Sequence, residues 1–458
     1  MRLAVAATRF LAGAVSLVMV PLTAAVAASQ QAGAATPRAR YSIRVTAEHP
    51  RLADVSVNLD NVADVLEMDP EYAEALPDRW AQFVSDLTAV DTSGRAVKVS
   101  YEGAARWRLG PGHPSSLRLT YRVSLEHDKT HWEFGAKEAA YSKPNWVFYT
   151  GRALFIAPPD LGASTVYFAL PPAWTVTTPW QGAMAPRTFE VPGFRELTHV
   201  ALVVGRYATQ TLRVGDAEVT IALGQDLASS MQLFISTLEP LLPAAADVFG
   251  GSPPGKFVVL ANRDTYTSGG AFLRSISMVF EKAPTAEAKT FLAHFLGHEM
   301  LHLWIGGAIR AADEDHQNWL AEGFTDYLSY QLMFQEGLLT SKQLSEQASV
   351  EYAKYRAQAG RISLFRAGEQ KDKNYDLVYS GGYIAALSLD TEIRRLSSGH
   401  HDLKTLMRSM YRQFGSPGAR YTYDDVVRMA TGCAGADLSE WFRNYVQGIR
   451  VLDAPRKT

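Results

Sequence analysis

A chain of 458 residues with 47% hydrophobic and 20% charged residues is ordinary globular material, long enough for two or three domains. Its formal net charge of −2 leaves no basic surplus to neutralise phosphates, so composition gives nucleic acid and anionic membrane surfaces no claim as main partners. A single cysteine, Cys433, rules out an internal disulfide scaffold and reads as a small buried hydrophobe.

The N-terminus opens with the positively charged MRLAVAATR, continues with the apolar FLAGAVSLVMVPLTAAVA and reaches the small residues Ala25-Val26-Ala27, the pattern of a cleaved signal peptide over residues 1–27. Pro21 and the small-residue end set it apart from a retained anchor. The expectation is a periplasmic or secreted protein with no stable membrane span after cleavage. Residues 28–40, ASQQAGAATPRAR, form a flexible lead-in. From 41 to 224, YSIRVTAEHP, SSLRLTYRVSLEH and THVALVVGRYATQTLRV alternate polar with β-branched or aromatic residues, and a β-rich domain follows from that period.

The pattern then changes. MQLFISTLEPLLPAAADVFG reads as a helix, KFVVLAN as a short buried strand, and AEAKTFLAHFLGHEMLHLWIGG as a long helix closed by paired glycines. GGSPPGK at 250–256 looks like a phosphate loop, but Phe257 stands where Ser or Thr is required and the order is helix then strand, so it is rejected. Beyond residue 335 the chain is helical. Thr340 with Gln343 forms a capping box before SKQLSEQASVEYAKYRAQ, and Leu403, Leu406, Met407, Met410, Tyr411 and Phe414 repeat at helical spacing.

Within the long helix His294, His298 and His302 recur every fourth residue, with Glu299 beside His298. Residues four apart share a helix face, so His298 and His302 can aim a ring nitrogen at one ion while Glu299 reaches a water there. Two histidines need a third protein ligand, and NWLAEGFTDYLSYQLMF supplies one: a returning helix with Glu322 near its inward side. Asp326, one turn further on, could accept the free N–H of a ligating histidine or be a simple acid of the helix surface. Should that helix begin later, Asp315 or His316 could replace Glu322. His294, which lacks a following Glu, reads as a hydrogen-bonded core histidine; His131 and His316 read as loop positions; Asp313-Glu314-Asp315 reads as the exposed connection between the two helices.

HEMLHLW, WLAEGFTDYL, VYSGGYIAALSLDTEIRRLSSG and ADLSEWFRNYVQG, spread from about Val258 to Gly448, resemble the gluzincin zinc metallopeptidases and most closely the glycyl aminopeptidase family. The resemblance implies an α+β multidomain chain: an N-terminal β-sheet domain (41–224), a thermolysin-like α/β zinc catalytic domain (225–335) and a C-terminal helical domain (336–458) that completes the active site. It implies one Zn2+ ion on His298, His302 and Glu322, Glu299 as general base, Tyr379 as donor to the oxyanion, and a peptide or protein as substrate. In the related enzymes an acidic residue on a glycine-rich segment holds the substrate's α-amine. Here that substrate-binding segment is Gly269, Gly270, Ala271 and Phe272, and the apolar Phe272-Leu273 pair replaces the acid, which leaves exo- and endopeptidase action both open. Gly381 stands where the tyrosine motif usually has lysine, and the chain reaches Thr458 without the PDZ module many relatives carry. Two other readings share the scaffold: a peptide-binding protein that has lost turnover, and a zinc hydrolase of a non-peptide substrate such as an ester or epoxide. The retained HExxH, Glu322 and Tyr379 weigh against the first, since a binder needs no base.

Overall fold

The computed structural model describes residues 36–71, 73, 76–125, 140–252 and 255–454. Residues 1–27, where a signal peptide is expected, and His131 lie outside them. In the N-terminal domain a seven-stranded sheet is organised around strand Arg38–Arg44, which pairs antiparallel with Leu52–Asp60 and parallel with Ser164–Ala169. Alternation fixes which face is buried: Ala53, Val55, Val57 and Leu59 point inward from one strand, and Leu117, Leu119, Tyr121 and Val123 from its neighbour. The first strand begins at Arg38, inside the stretch read as a flexible lead-in, because Ala39 and Tyr41 already alternate into the core.

A four-stranded sheet behind it contains Trp146–Thr150 and Ala201–Gly205, every residue of which is buried. Such unbroken runs mark a sheet covered on both faces. Val147, Tyr149, Leu202 and Val204 face the N-terminal core, while Trp146, Phe148, Ala201 and Val203 pack on Ala222, Val258, Leu260 and Val279 of the next sheet. That next sheet has five strands: Tyr207–Val214, Ala217–Gly224, Gly255–Arg263, Ser275–Phe280 and, at the edge, Ser268–Phe272. Its first two strands fall within the region assigned from sequence to the β-rich domain. A period of two reveals a strand but not the sheet it joins.

Two helices, Met231–Phe249 and Lys289–Leu301, pack on this sheet, and a third, Asn318–Gln335, packs on them. Met231–Phe249 ends at Gly250, which takes the left-handed conformation at φ 76° that caps a helix. The motif helix, Lys289–Leu301, stops short of the expected paired glycines, and the chain turns through Gly306 (φ 85°) before reaching the returning helix, Asn318–Gln335. Further helices, including Ser341–Gln358, Gly382–Leu396 and Leu403–Phe414, complete an α+β multidomain architecture. The Thr340 box is formed: its hydroxyl accepts from the Gln343 amide, and the Gln343 side chain accepts from the Thr340 amide.

The returning helix and Gly382–Leu396 cross at Gly323 and Gly382, where a Cβ on Gly323 would overlap the backbone of Gly382. Ahead of Gly382 lies a π-helical turn, Leu377–Gly381, an irregularity common at functional sites. Gly323→Ala gains about 0.5–1 kcal/mol of helix propensity, but the clash is backbone on backbone and cannot be relieved by a rotamer change. A net loss of about 1–3 kcal/mol in unfolding free energy is expected by denaturant titration; unchanged stability would contradict the close crossing.

Candidate metal centre

The motif helix is apolar over most of its circumference, and its polar edge meets the polar edge of the returning helix. His298, Glu299, Glu322 and Asp326 are 8%, 7%, 8% and 9% exposed, so four ionisable groups are buried together where each needs a compensating partner. Nε2 of His298 lies 3.1 Å from Nε2 of His302, and each lies 3.4 Å from Oε2 of Glu322. Three corners of a tetrahedron with bonds of about 2.0–2.1 Å to a central zinc are about 3.3–3.4 Å apart, so this triangle has the size that a zinc ion requires.

The other atoms of the same side chains are already engaged. Nδ1 of His298 donates to Oδ1 of Asp326 at 2.8 Å, and Nδ1 of His302 donates to the carbonyl of Ile305 at 3.2 Å. These bonds fix the tautomers and turn both Nε2 lone pairs inward. Oε1 of Glu322 accepts from Nζ of Lys371 at 2.7 Å, whereas Oε2 is buried with no hydrogen-bond partner among the described residues. An orphaned carboxylate oxygen facing two imidazole nitrogens is a donor set for a cation. Burial alone would raise the Glu322 carboxyl, but Lys371 and the two histidines outweigh it and hold it well below the usual carboxylate range.

Glu299 is carried on the motif helix between the two histidines. The Tyr379 ring lies nearly parallel to that of His298 with centroids 6.1 Å apart, and Ser380 beside it donates to the buried Glu351 of helix Ser341–Gln358, which anchors the π-helical turn. Burial first, then the Glu322 charge, pushes the Tyr379 phenol well above its ordinary value, so it keeps its proton at neutral pH. At Gly381 a Cβ would stand 2.7 Å from Leu364 Cδ2, so a lysine there would have to displace the Leu364 side chain.

His294 stays outside the triangle. Its Nδ1 meets Ser329 Oγ at 3.0 Å, its ring stacks on Tyr330 at 4.1 Å, and burial pulls it down to about 4. His316 is held by Asp313 and Glu369 and stacks on Phe365, and Asp315 opens the short turn Asp315–Gln317; neither enters the cluster around Glu322. Two residues escaped the sequence reading. Lys371 sits in the polar run EQKDKN, which looks like a solvated loop, and Tyr375 stacks on Tyr379 at 4.2 Å, a contact that their spacing of four could have signalled.

Gly269, Gly270, Ala271 and Phe272 form the edge strand beside the motif helix, and a Cβ on Gly269 would run into the Phe295 ring. Alternation turns Gly269 and Ala271 toward that helix and Phe272 to the opposite face, where it packs against the inter-sheet cluster with the Arg152 guanidinium 5.7 Å from its centroid. A second group of possible ligands, Asp69, Glu71 and His199, lies in the N-terminal domain. There His199 Nε2 meets Asp69 at 2.8 Å, Thr198 donates to the same carboxylate, and Arg152 lies 3.5 Å from Glu71, the composition of an ion-pair network.

Residues 40–205 match the family model of the Peptidase M61 N-terminal domain, and residues 292–368 match that of the M61 glycyl aminopeptidase; together they take in more than half of the chain. No curated protein matches. Among solved structures, an aminopeptidase N family protein from Idiomarina loihiensis is similar at TM-score 0.77 and 17% identity, over 91% of this chain and 77% of that one. An M1 zinc metallopeptidase from Deinococcus radiodurans is similar at TM-score 0.62 and 16% identity, over 92% and 96%. A mutant of that enzyme bound to a Tyr-Ser-Ala substrate aligns at TM-score 0.61 and 17% identity, over 92% and 96%. At these identities the likeness is one of fold.

Asp326→Ala removes the acceptor that orients His298 while leaving every donor of the triangle in place. Metal affinity, measured by competition with a chromophoric chelator, is expected to fall about 10–100-fold with the far-ultraviolet spectrum unchanged; unaltered affinity would mean that Asp326 does not orient the ligand.

Proposed function

We propose, from the premise that this chain belongs to the M61 glycyl aminopeptidase family, that it is exported and hydrolyses peptide bonds with Glu299 as general base. The chain is a zinc metallopeptidase of that family. His298 and His302 through Nε2, and Glu322 through Oε2, would hold one ion; the observation that carries the reading is the 3.1–3.4 Å triangle of those three atoms, whose other polar atoms are already bonded. Arg152 beside the Asp69–Glu71–His199 network speaks against a second ion there.

Zinc, when bound, supplies a Lewis acid that polarises a carbonyl and makes water nucleophilic near neutral pH. Glu299 accepts a proton from the attacking water and hands it to the departing nitrogen, because an amine is expelled only once protonated. The Tyr379 hydroxyl, kept protonated by its surroundings, donates to the oxyanion as negative charge develops there. Lys371 draws Oε1 of Glu322 away from the triangle and leaves Oε2 facing the histidines. Gly269, Gly270 and Ala271 offer a strand edge with little side-chain bulk, along which an extended peptide pairs backbone to backbone. Phe272 contributes no carboxylate for a free α-amine. Residues 1–27 support export, and no described helix is long and apolar enough to cross a membrane.

The test is metal content beside turnover of a peptide mixture, with free and acetylated N-termini, read by mass spectrometry. Near-stoichiometric zinc with cleavage supports the reading, and zinc without cleavage would overturn it. Glu299→Gln should retain the metal and lose about 10²–10⁴-fold in kcat. Tyr379→Phe should lose about 10²–10³-fold in kcat with little change in KM, because its hydroxyl acts only on the developing oxyanion.

A further inference from the structure

A cavity of about 1110 Å³ lies where the N-terminal sheet, the end of the motif helix and the C-terminal helices meet. Its lining carries six arginines against two glutamates; Arg40 is already paired with Asp60 at 2.9 Å, and the others leave an excess of positive charge in a chain whose formal net charge is −2. The arginines come from three parts of the molecule: Arg195 from the N-terminal domain, Arg274 just past the edge strand, and Arg310 and Arg420 from the segments after the motif helix and before the last long helix. Nε of Arg195 and Nε of Arg310 are buried without a hydrogen-bond partner among the described residues. Burial first, and then the neighbouring Arg310, depresses the Arg195 guanidinium below its ordinary value. Arg310 is partly answered by Glu314 at 2.7 Å. Positive charge gathered from three parts of the fold around one recess is a receptor for an anion.

The same wall includes His302, one of the three residues that converge on the metal position, and Leu273 and Arg274, which continue the edge strand beyond Phe272. A peptide lying along that strand therefore runs directly into the arginines. We propose that this cavity is a specificity subsite for acidic side chains of the peptide substrate, a preference that rests on the peptidase reading above. Carboxylates of Asp or Glu several residues from the scissile bond meet the guanidinium groups of Arg195 and Arg420. At about 300–1,000 Å³ for a typical ligand pocket, the recess is large enough to take more than one side chain. A separate small anion would use the same chemistry, but continuity with His302 and the edge strand favours the substrate.

The experiment compares kcat/KM of the zinc-loaded full chain on matched peptides that carry Glu or Gln at each position flanking the cut. The acidic peptide should be preferred on the order of tenfold at one or more positions, the factor contributed by one charge-assisted hydrogen bond, and added salt should shrink the preference. Arg195→Gln and, as a second variant on an exposed loop, Arg420→Gln should move the Glu-to-Gln ratio toward one, with zinc content and thermal midpoint checked on both. Equal cleavage of both peptides overturns the inference and leaves the peptidase reading standing, while failure to cut any peptide overturns both. Phosphate that alters turnover of both peptides equally, with no acidic preference, reassigns the cavity to a free anion and also overturns it.

Discussion

Two imidazole nitrogens and a carboxylate oxygen lie 3.1–3.4 Å apart, and in a buried pocket that arrangement is repulsive unless a cation or a shared proton sits between them. Most features around the triangle serve to keep that arrangement in place. Asp326 and the Ile305 carbonyl hold the Nδ1 protons, so neither ring can relieve the crowding by turning over. Lys371 occupies the outer oxygen of Glu322, so the carboxylate cannot rotate its orphaned oxygen outward without losing a short ion pair. The chemistry assigned to Glu299 and Tyr379 depends on a centre whose ligands cannot reorient.

Backbone packing turns this local constraint into a property of the fold. The returning helix can present Glu322 and Asp326 to the motif helix only because Gly323 lets its other side touch Gly382. The same contact brings the π-helical turn with Tyr379 against the His298 ring. On the opposite side the four-stranded sheet joins the N-terminal core to the five-stranded sheet and its edge strand. The amide of Leu273 donates to the His199 carbonyl at 2.8 Å, so the end of the edge strand is stitched to the N-terminal domain.

What could be read from the sequence follows from which interactions are local. The pair His298 and His302, the base between them and the Asp326 partner all lie at helical spacings on two neighbouring helices, and period alone places them. Glu322 could be read because one turn and one returning helix separate it from His302. The end of the motif helix could not be read that way: apolar residues continue to Ile305, yet the chain turns after Leu301 so that the Ile305 carbonyl can reach His302. Lys371 was hidden by the polar run around it. The arginine-lined cavity is assembled from positions between Arg38 and Arg420, and no window of sequence contains it. Likewise, the strands Tyr207–Val214 and Ala217–Gly224 were evident as strands, but their membership of the catalytic sheet is set by pairing with Gly255–Arg263 across an intervening helix.

The most direct test of the central claim is X-ray absorption at the zinc edge on the full mature chain. One tightly held ion is expected, with a four-coordinate nitrogen and oxygen shell at about 2.0–2.1 Å and the scattering signature of two imidazoles. A sulfur neighbour at about 2.3 Å, which only Cys433 or a methionine could supply, would contradict it. So would a protein that retains no zinc after dialysis, because the triangle of His298, His302 and Glu322 would then not be a zinc site.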